Sequence, residues 1–377
     1  MSKKMQRMLV MILALAMVLV TVLSACAPAT KDETPANNDA TTTTPANDTA
    51  ANDTASDNTA ADAETSGDVE YNFALVQAGI HPFYNPFPGA LADFARDYNT
   101  TEPRLEAVAF LNMEEQSALI ESLVASGING LAFQPADPVA GNEVITDLMN
   151  EGINVVGFAG TPEEPTDMIF CLATDVYTAA YEGAKQLCEE MGGKGAIVHL
   201  TGNPSETNTQ KRIDGVAAAI AEYPDVTLFQ TIADIDATEP AQNAIDSLLS
   251  ASGDQIDGII STVYVPSVVL STVFTQRQET RIKSVLCDAD DAVVQAIKDG
   301  WVTGTMNQNA YAQAYLCSLG LKMLADGYTY KADSPFFIDS GFVYLNKDNV
   351  DTKDEEALKF TENFKPQFIA LFDEPAK

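Results

Sequence analysis

From Tyr71 onward, apolar and polar positions alternate between two rhythms. Short unbroken apolar runs, FALVQAG, LEAVAF, INGLAFQP and INVVGFAG, are separated by stretches with helical spacing, ALADFARDY, MEEQSALIESLVASG and NEVITDLMNEG. Continuous apolar runs, as opposed to strictly alternating ones, predict strands buried on both faces, the habit of parallel sheets. Strands that alternate with helices of ten to fifteen residues predict a doubly wound α/β sheet.

The rhythm then restarts. DMIFCLATD, GAIVHLTG, DVTLFQTI, IDGIISTVY and IKSVLCD read as strands, and YTAAYEGAKQLCEEM, QKRIDGVAAAIAEY, PAQNAIDSLLSASG, VVLSTVFTQ and DAVVQAIKDG as the helices between them. Ile128-Asn129-Gly130-Leu131-Ala132-Phe133 parallels Ile256-Asp257-Gly258-Ile259-Ile260, each followed by a helix and a second apolar strand. This is a diverged internal duplication of one α/β unit, and it predicts two similar lobes.

The ends of the chain obey other rules. Lys3, Lys4 and Arg7 precede an apolar run from Leu9 to Leu23 broken only by Thr21, the grammar of an export signal over residues 1–25. Leu23-Ser24-Ala25-Cys26 resembles the lipobox of bacterial lipoproteins, which implies cleavage before Cys26 and its lipidation. The run is marginal in length for a spanning helix, so an anchored and extracytoplasmic protein is expected on the cell membrane. Residues 26–69 are Thr, Ala, Asn, Asp and Pro with almost no large apolar side chain, which predicts a disordered tether. As a flexible coil it would reach roughly 35–40 Å root-mean-square.

The formal charge is −33, and only part of it lies in the tether. An acidic folded region argues against nucleic acid or anionic lipid headgroups as partners. Beyond Cys26 there are Cys171, Cys188, Cys287 and Cys317, none with metal-ligand spacing; they read as buried thiols, with a disulfide permitted outside the cytoplasm but no pairing assignable. No catalytic residue, metal site or cofactor is expected. His81 and His199 have no HExxH or CxxC companion, there is no G-x-S-x-G elbow, and the GGKG at 192–195 lacks the ending of a P-loop. His199 lies mid-strand and reads as a packed histidine.

Four stretches in this order, SGINGLAFQPADP, LATDVYTAAYEGAKQL, GGKGAIVHLTGNPSETNTQKRIDGVAAAIAEYP and DADDAVVQAIKDGWVTGTMNQNAYAQAYL, resemble the ribose/galactose-type periplasmic binding proteins, the type I substrate-binding proteins of sugar ABC transporters. The resemblance covers nearly everything from Tyr71 to about Asn349. It implies two doubly wound parallel-sheet lobes joined by a three-segment hinge that closes on a ligand. The crossings then fall near Thr174-Asp175, Gln308-Asn309 and Ile338 to Gly341. The N-terminal lobe becomes 71–174 plus 309–337, and the C-terminal lobe 175–308 plus 338–377.

The ligand site is expected in the cleft at the carboxyl ends of the strands. After the first strand comes IHPFYNPFPG. Asn85-Pro86-Phe87 matches the family's letters, but His81-Pro82-Phe83-Tyr84 matches its spacing, so Phe83 and Tyr84 are expected as the stacking rings, His81 as the polar member, and Asn85 beside them. Aromatic faces suit the C–H face of a sugar; Phe87 is expected to pack in the domain. By element, Asn112, Gln134 and Phe158 to Thr161 end strands of the first lobe, and Asn203, Ser205, Gln210, Tyr264, Asp288 and Gln308 belong to the second. The resemblance makes Asp288 the ligand carboxylate and Gln308 the cleft glutamine. A carboxylate accepts two hydroxyl hydrogen bonds at once, though an N-cap role for Asp288 fits the same letters. The family's arginine after the fourth strand reads here as Ala159-Gly160, and a second cleft arginine as Gln210, which suits a less polar or larger ligand than ribose.

The resemblance implies a monomeric lipoprotein that delivers a monosaccharide-like solute to an ABC permease. A ligand-presenting sensor for a membrane receptor, or a binder of a nucleoside or quorum signal, fits the same sequence. The effector domain of LacI-type repressors shares the fold, but an export signal stands here where those proteins carry a helix-turn-helix.

Overall fold

The computed structural model describes residues 70–109 and 111–375. The export signal, Cys26 and the tether lie outside the described residues. Two six-stranded sheets carry the fold. The first holds β1 (Phe73–Gln77), β2 (Arg104–Ala107), β3 (Gly130–Phe133), β4 (Asn154–Phe158), β5 (Cys171–Ala173) and, from late in the chain, β12 (Phe337–Asp339), in the order β2-β1-β3-β4-β5-β12, all parallel. The second holds β6 (Lys194–Leu200), β7 (Asp225–Ile232), β8 (Gly258–Ser261), β9 (Lys283–Cys287), β10 (Gly304–Gln308) and β13 (Phe342–Asn346), in the order β7-β6-β8-β9-β10-β13, with β13 antiparallel. A short antiparallel pair, β11 (Thr329–Tyr330) with β14 (Phe372–Asp373), completes the strands among the described residues.

The apolar runs read correctly as strands because they fill the middles of the sheets. Every residue of β1, β3, β5 and β8 is buried, whereas the edge strands β2 and β7 are largely half-buried or exposed. Each sheet is covered on both faces. In the first, helices Phe87–Tyr98 and Ala310–Ala325 pack on one face around Phe87, Phe94, Phe158 and Leu316. Helices Met113–Ala125 and Gly141–Asn150 pack on the other around Ile120, Phe133 and Ile145. In the second, Thr238–Ser252, Tyr264–Arg277 and Asp291–Asp299 cover one face, and Val176–Glu190 with Thr207–Ile220 the other.

The duplication reaches the backbone torsions. Leu111 after β2 and Asp234 after β7 both have positive φ, 54° and 61°, and donate to equivalent carbonyls, Ala78 and Gly202. Ala159 after β4 and Asp288 after β9 do the same, with φ of 59° and 64° and bonds to Leu172 and Met306. Such a conformation costs a non-glycine residue energy, and residues held in it gather at functional sites. All four stand at carboxyl ends of strands.

The chain passes from the first sheet to the second after β5, returns after β10 and leaves again after β12. The first and second of these segments each bond to the third. Asp175 N–H donates to the Asp339 carboxylate at 3.0 Å, Ser340 N–H to Ala173 C=O at 3.0 Å, and Asn309 N–H to Gly341 C=O at 3.2 Å. Beyond β13 the structure departs from the expected lobe boundary. The expected second lobe includes 338–377, but helix Lys353–Ile369 brings Phe368, and β14 brings Phe372, into the first sheet's core against Phe170. The physical reason is burial: Phe368 is fully enclosed there, and β14 gains β11 as its pairing partner.

Candidate functional site

The strand order reverses between β1 and β3 in one sheet and between β6 and β8 in the other, and ligands bind α/β sheets at such switch points. The first switch point carries the aromatic turn. Pro82–Tyr84 is a single 3-10 turn capped by His81, whose Nδ1 accepts from Phe83 N–H at 3.1 Å. Tyr84 is buried, with its ring edge-on to Phe83, Phe87 and Phe158 and its hydroxyl donating to Gln134 Oε1 at the end of β3. Burial pushes the Tyr84 phenol well up, so it stays a donor. Phe83 is half-buried beside it, and Asn85 ends the turn exposed, its N–H bonded to Pro82 C=O. Phe87 packs fully in the core.

The second lobe supplies most of the polar groups. Asp288 is 7% exposed, and Gln308 Nε2 donates to both of its oxygens at 3.0 and 3.2 Å, with Gln308 N–H at 3.3 Å. Burial raises the Asp288 pKa, while the Gln308 bonds and the nearby Arg212 guanidinium pull it back. The helix after β9 is capped by Asp290, which accepts from Ala292 N–H. That removes the N-cap reading of Asp288. Asp290 also accepts from the Tyr264 hydroxyl.

The two lobes meet through His81 and Tyr264, whose rings lie edge to face with centroids 5.0 Å apart. Burial lowers the His81 pKa, opposed by two carboxylates of the other lobe, Asp288 and Asp236. His81, Tyr264, Asp288 and Gln308 are thus brought together from a turn, a helix start and two strand ends.

Phe83, Tyr84 and Asn85 stay with the aromatic turn, and two expected members, Gln210 and Phe158, are placed elsewhere. Gln210 is exposed and donates to Asp214 one turn along its helix at 2.9 Å. The inward face of Thr207–Ile220 runs through Thr209, Val216 and Ile220, and Arg212, four residues before Val216, lies on that face. Arg212 lines a small cavity with Ser261, Thr262, Cys287 and Gln308. Of the five arginines among the described residues, it is the one with no hydrogen-bond or ion-pair partner among them. Phe158 is also a correction: its ring is fully buried against Tyr84 and Phe87, so it backs the cleft without lining it. Asn112 caps the helix that follows it.

Sequence reasoning missed Arg212 and Asp236. Asp236 accepts from Asn203 N–H at 2.9 Å, and burial raises its pKa. The Val216-Ile220 periodicity carried the signal for Arg212, because it puts Gln210 on the opposite side of the helix. Nothing in ADIDATEP marks Asp236. Below the cleft, His199 Nε2 meets Thr262 Oγ1 at 2.8 Å, and Thr262 donates to Thr201 at 3.1 Å. Among the described residues no His, Cys, Asp and Glu cluster could hold a metal ion, and all four cysteines are buried and free.

The sequence profile of the periplasmic binding protein domain matches residues 73–329. This chain belongs to the periplasmic binding protein family. It is 22% identical over 269 residues to a xylitol-binding protein of Mycolicibacterium smegmatis, spanning 71% of this chain and 75% of that one. A sugar-binding protein of a sugar ABC transporter from Bacillus halodurans superposes with a TM-score of 0.68 at 21% identity, over 75% of this chain and 99% of that one. An ABC transporter solute-binding protein from Burkholderia graminis, in complex with D-arabinose, superposes with a TM-score of 0.65 at 20% identity, over 75% and 97%. The type I periplasmic binding protein fold follows.

Proposed function

We propose that this protein is an extracytoplasmic solute-binding lipoprotein that captures a sugar-like small molecule between its lobes, without chemical change, and hands it to an ABC permease. One observation carries the reading. A buried carboxylate, Asp288, is held by Gln308 near Arg212, and His81 reaches from the first lobe to meet Tyr264 of the second beside it. Paired acceptors and donors at that spacing match the alternating hydroxyls of a sugar, which both donate and accept. The sugars named for the similar proteins point the same way. Cys26 would provide the anchor, and the tether the reach to a permease.

Mass spectrometry of ligand released from the purified protein identifies the solute, and calorimetry then measures it. Asp288→Ala and Arg212→Ala each weaken binding by about 1.5–3 kcal/mol through lost charged hydrogen bonds. Gln210→Ala leaves it unchanged within error. Equal binding by Asp288→Ala and the parent removes the assignment of the cleft, and turnover of the ligand removes the binding reading altogether.

A further inference from the structure

The cleft does not end at Arg212. A second cavity of about 420 Å³ lies between the lobes on the side of the first crossing. Its first-lobe wall is Ala159, Gly160, Thr161 and Phe337; its floor is the crossing itself, Thr174 and Asp175; and Asn208 and Lys211 close it from the second lobe. Val176 lines both this cavity and the Arg212 cavity, so the two are neighbours across a single side chain. Ala159, Gly160 and Thr161 are small, which leaves space in that part of the wall.

The chemistry of this compartment differs from that around Asp288. Asp175 is its acidic member, and both its oxygens are engaged: one accepts from Tyr177 and Thr178 N–H, the other from the Thr178 hydroxyl at 2.6 Å. Lys211 has no hydrogen-bond or ion-pair partner among the described residues, in a chain with 54 acidic residues against 21 basic ones. The other polar side chains of the lining, Thr161, Thr174, Tyr177 and Asn208, are neutral and each carries a donor group. Asp175 keeps its negative charge but sets it against the amino end of helix Val176–Glu190, which it caps, so the exposed Lys211 ammonium and the neutral donors are what the cavity offers an anionic group.

We propose that the ligand is an acidic sugar, with its ring held between His81, Tyr264, Asp288, Gln308 and Arg212 and a carboxylate or phosphate substituent reaching Lys211 in the second cavity. This rests on the sugar-binding reading and narrows its substrate class. The ring sits where hydroxyls find paired donors and acceptors, and the anion sits beside Lys211 and the neutral donors.

The test is a calorimetric titration of the full chain with matched pairs: D-galactose against D-galacturonate, and D-arabinose against D-arabinose 5-phosphate. A carboxylate preference appears in the first pair and a phosphate preference in the second. The acidic member of at least one pair is expected to bind about tenfold more tightly or better, the worth of a charged hydrogen bond. Lys211→Gln is expected to lose that factor for the acidic sugar. Lys194→Gln makes the same change of charge at the amino end of β6, away from the cleft, and is expected to leave the preference intact. A thermal melt of each variant confirms folding. Neutral sugars, or a neutral disaccharide such as lactose, binding as tightly as the acidic ones overturns the proposal while leaving sugar binding in place. An acid preference that survives Lys211→Gln, or falls equally with Lys194→Gln, also overturns it. Binding of no sugar at all removes the sugar reading and this proposal together.

Discussion

Two buried titratable side chains of the second lobe set its residue-scale behaviour. Burial raises the Asp288 pKa, and the Gln308 hydrogen bonds and the Arg212 charge work against that rise. His199 has no such help. Burial in mid-strand, with Arg212 adding to the effect, lowers its pKa to about 3 from an ordinary 6.5. Above pH 6.5 the ring is neutral whether the chain is folded or not, and its titration contributes nothing. As pH falls below 6.5, the unfolded chain takes up a proton that the folded chain refuses, so stability is lost down to about pH 3. Between pH 7 and 4.5 this amounts to about 2–3 kcal/mol. Urea unfolding at those two pH values should show that loss in the parent, and a correspondingly smaller loss in His199→Gln. At this scale the sequence was a partial guide. Asp288, Gln308, Tyr264 and His81 end predicted elements and could be named from it. Letter matches alone do not show that Gln210 lies on the outer face of its helix, or that Phe158 at its strand end is enclosed behind Tyr84.

At the scale of the element, each crossing is short, and the third holds the other two. Ser340 stands at the centre: its hydroxyl accepts from Gln313 Nε2 at 3.0 Å and lies 3.5 Å from the Thr174 hydroxyl. Next to it Gly341 has φ of 81°, and a Cβ built there would lie 2.2 Å from Phe360 Cζ. A left-handed backbone and a ring against the Cα both demand glycine. Gly341→Ala is therefore expected to lower stability by about 1–3 kcal/mol, read as a drop in the urea midpoint; an unchanged midpoint would mean that the third crossing adapts freely. The elements themselves were legible early, because central parallel strands are apolar throughout and their covering helices are not. The edge strand β7 was legible too, from DVTLFQTI, although five of its eight residues in a row, Thr227 to Thr231, are exposed.

For the whole molecule, the C-terminal helix ties the chain back to the lobe in which it began. Phe368 and Phe372 pack against Phe170, and Asn309 at the second crossing donates to Ala357 C=O and to Thr361 Oγ1, each at 3.3 Å. Deleting the chain from Lys353 onward should thus loosen the first lobe in preference to the second. Hydrogen exchange should quicken in β4, β5 and helix Ala310–Ala325 and stay slow in β8 and β9; the reverse pattern would place the helix with the second lobe. The sequence by itself determined the strand and helix alternation, the repeat, and the residues at strand ends, because these follow from local apolar spacing over one element at a time. Only the tertiary structure decided which lobe the last helix joins, that Arg212 and not Gln210 turns inward, that Asp290 caps the helix and leaves Asp288 to the cleft, and that a second cavity opens beside Lys211. Each of these depends on contacts between residues far apart in the chain, and periodicity along one segment carries no record of what packs against it.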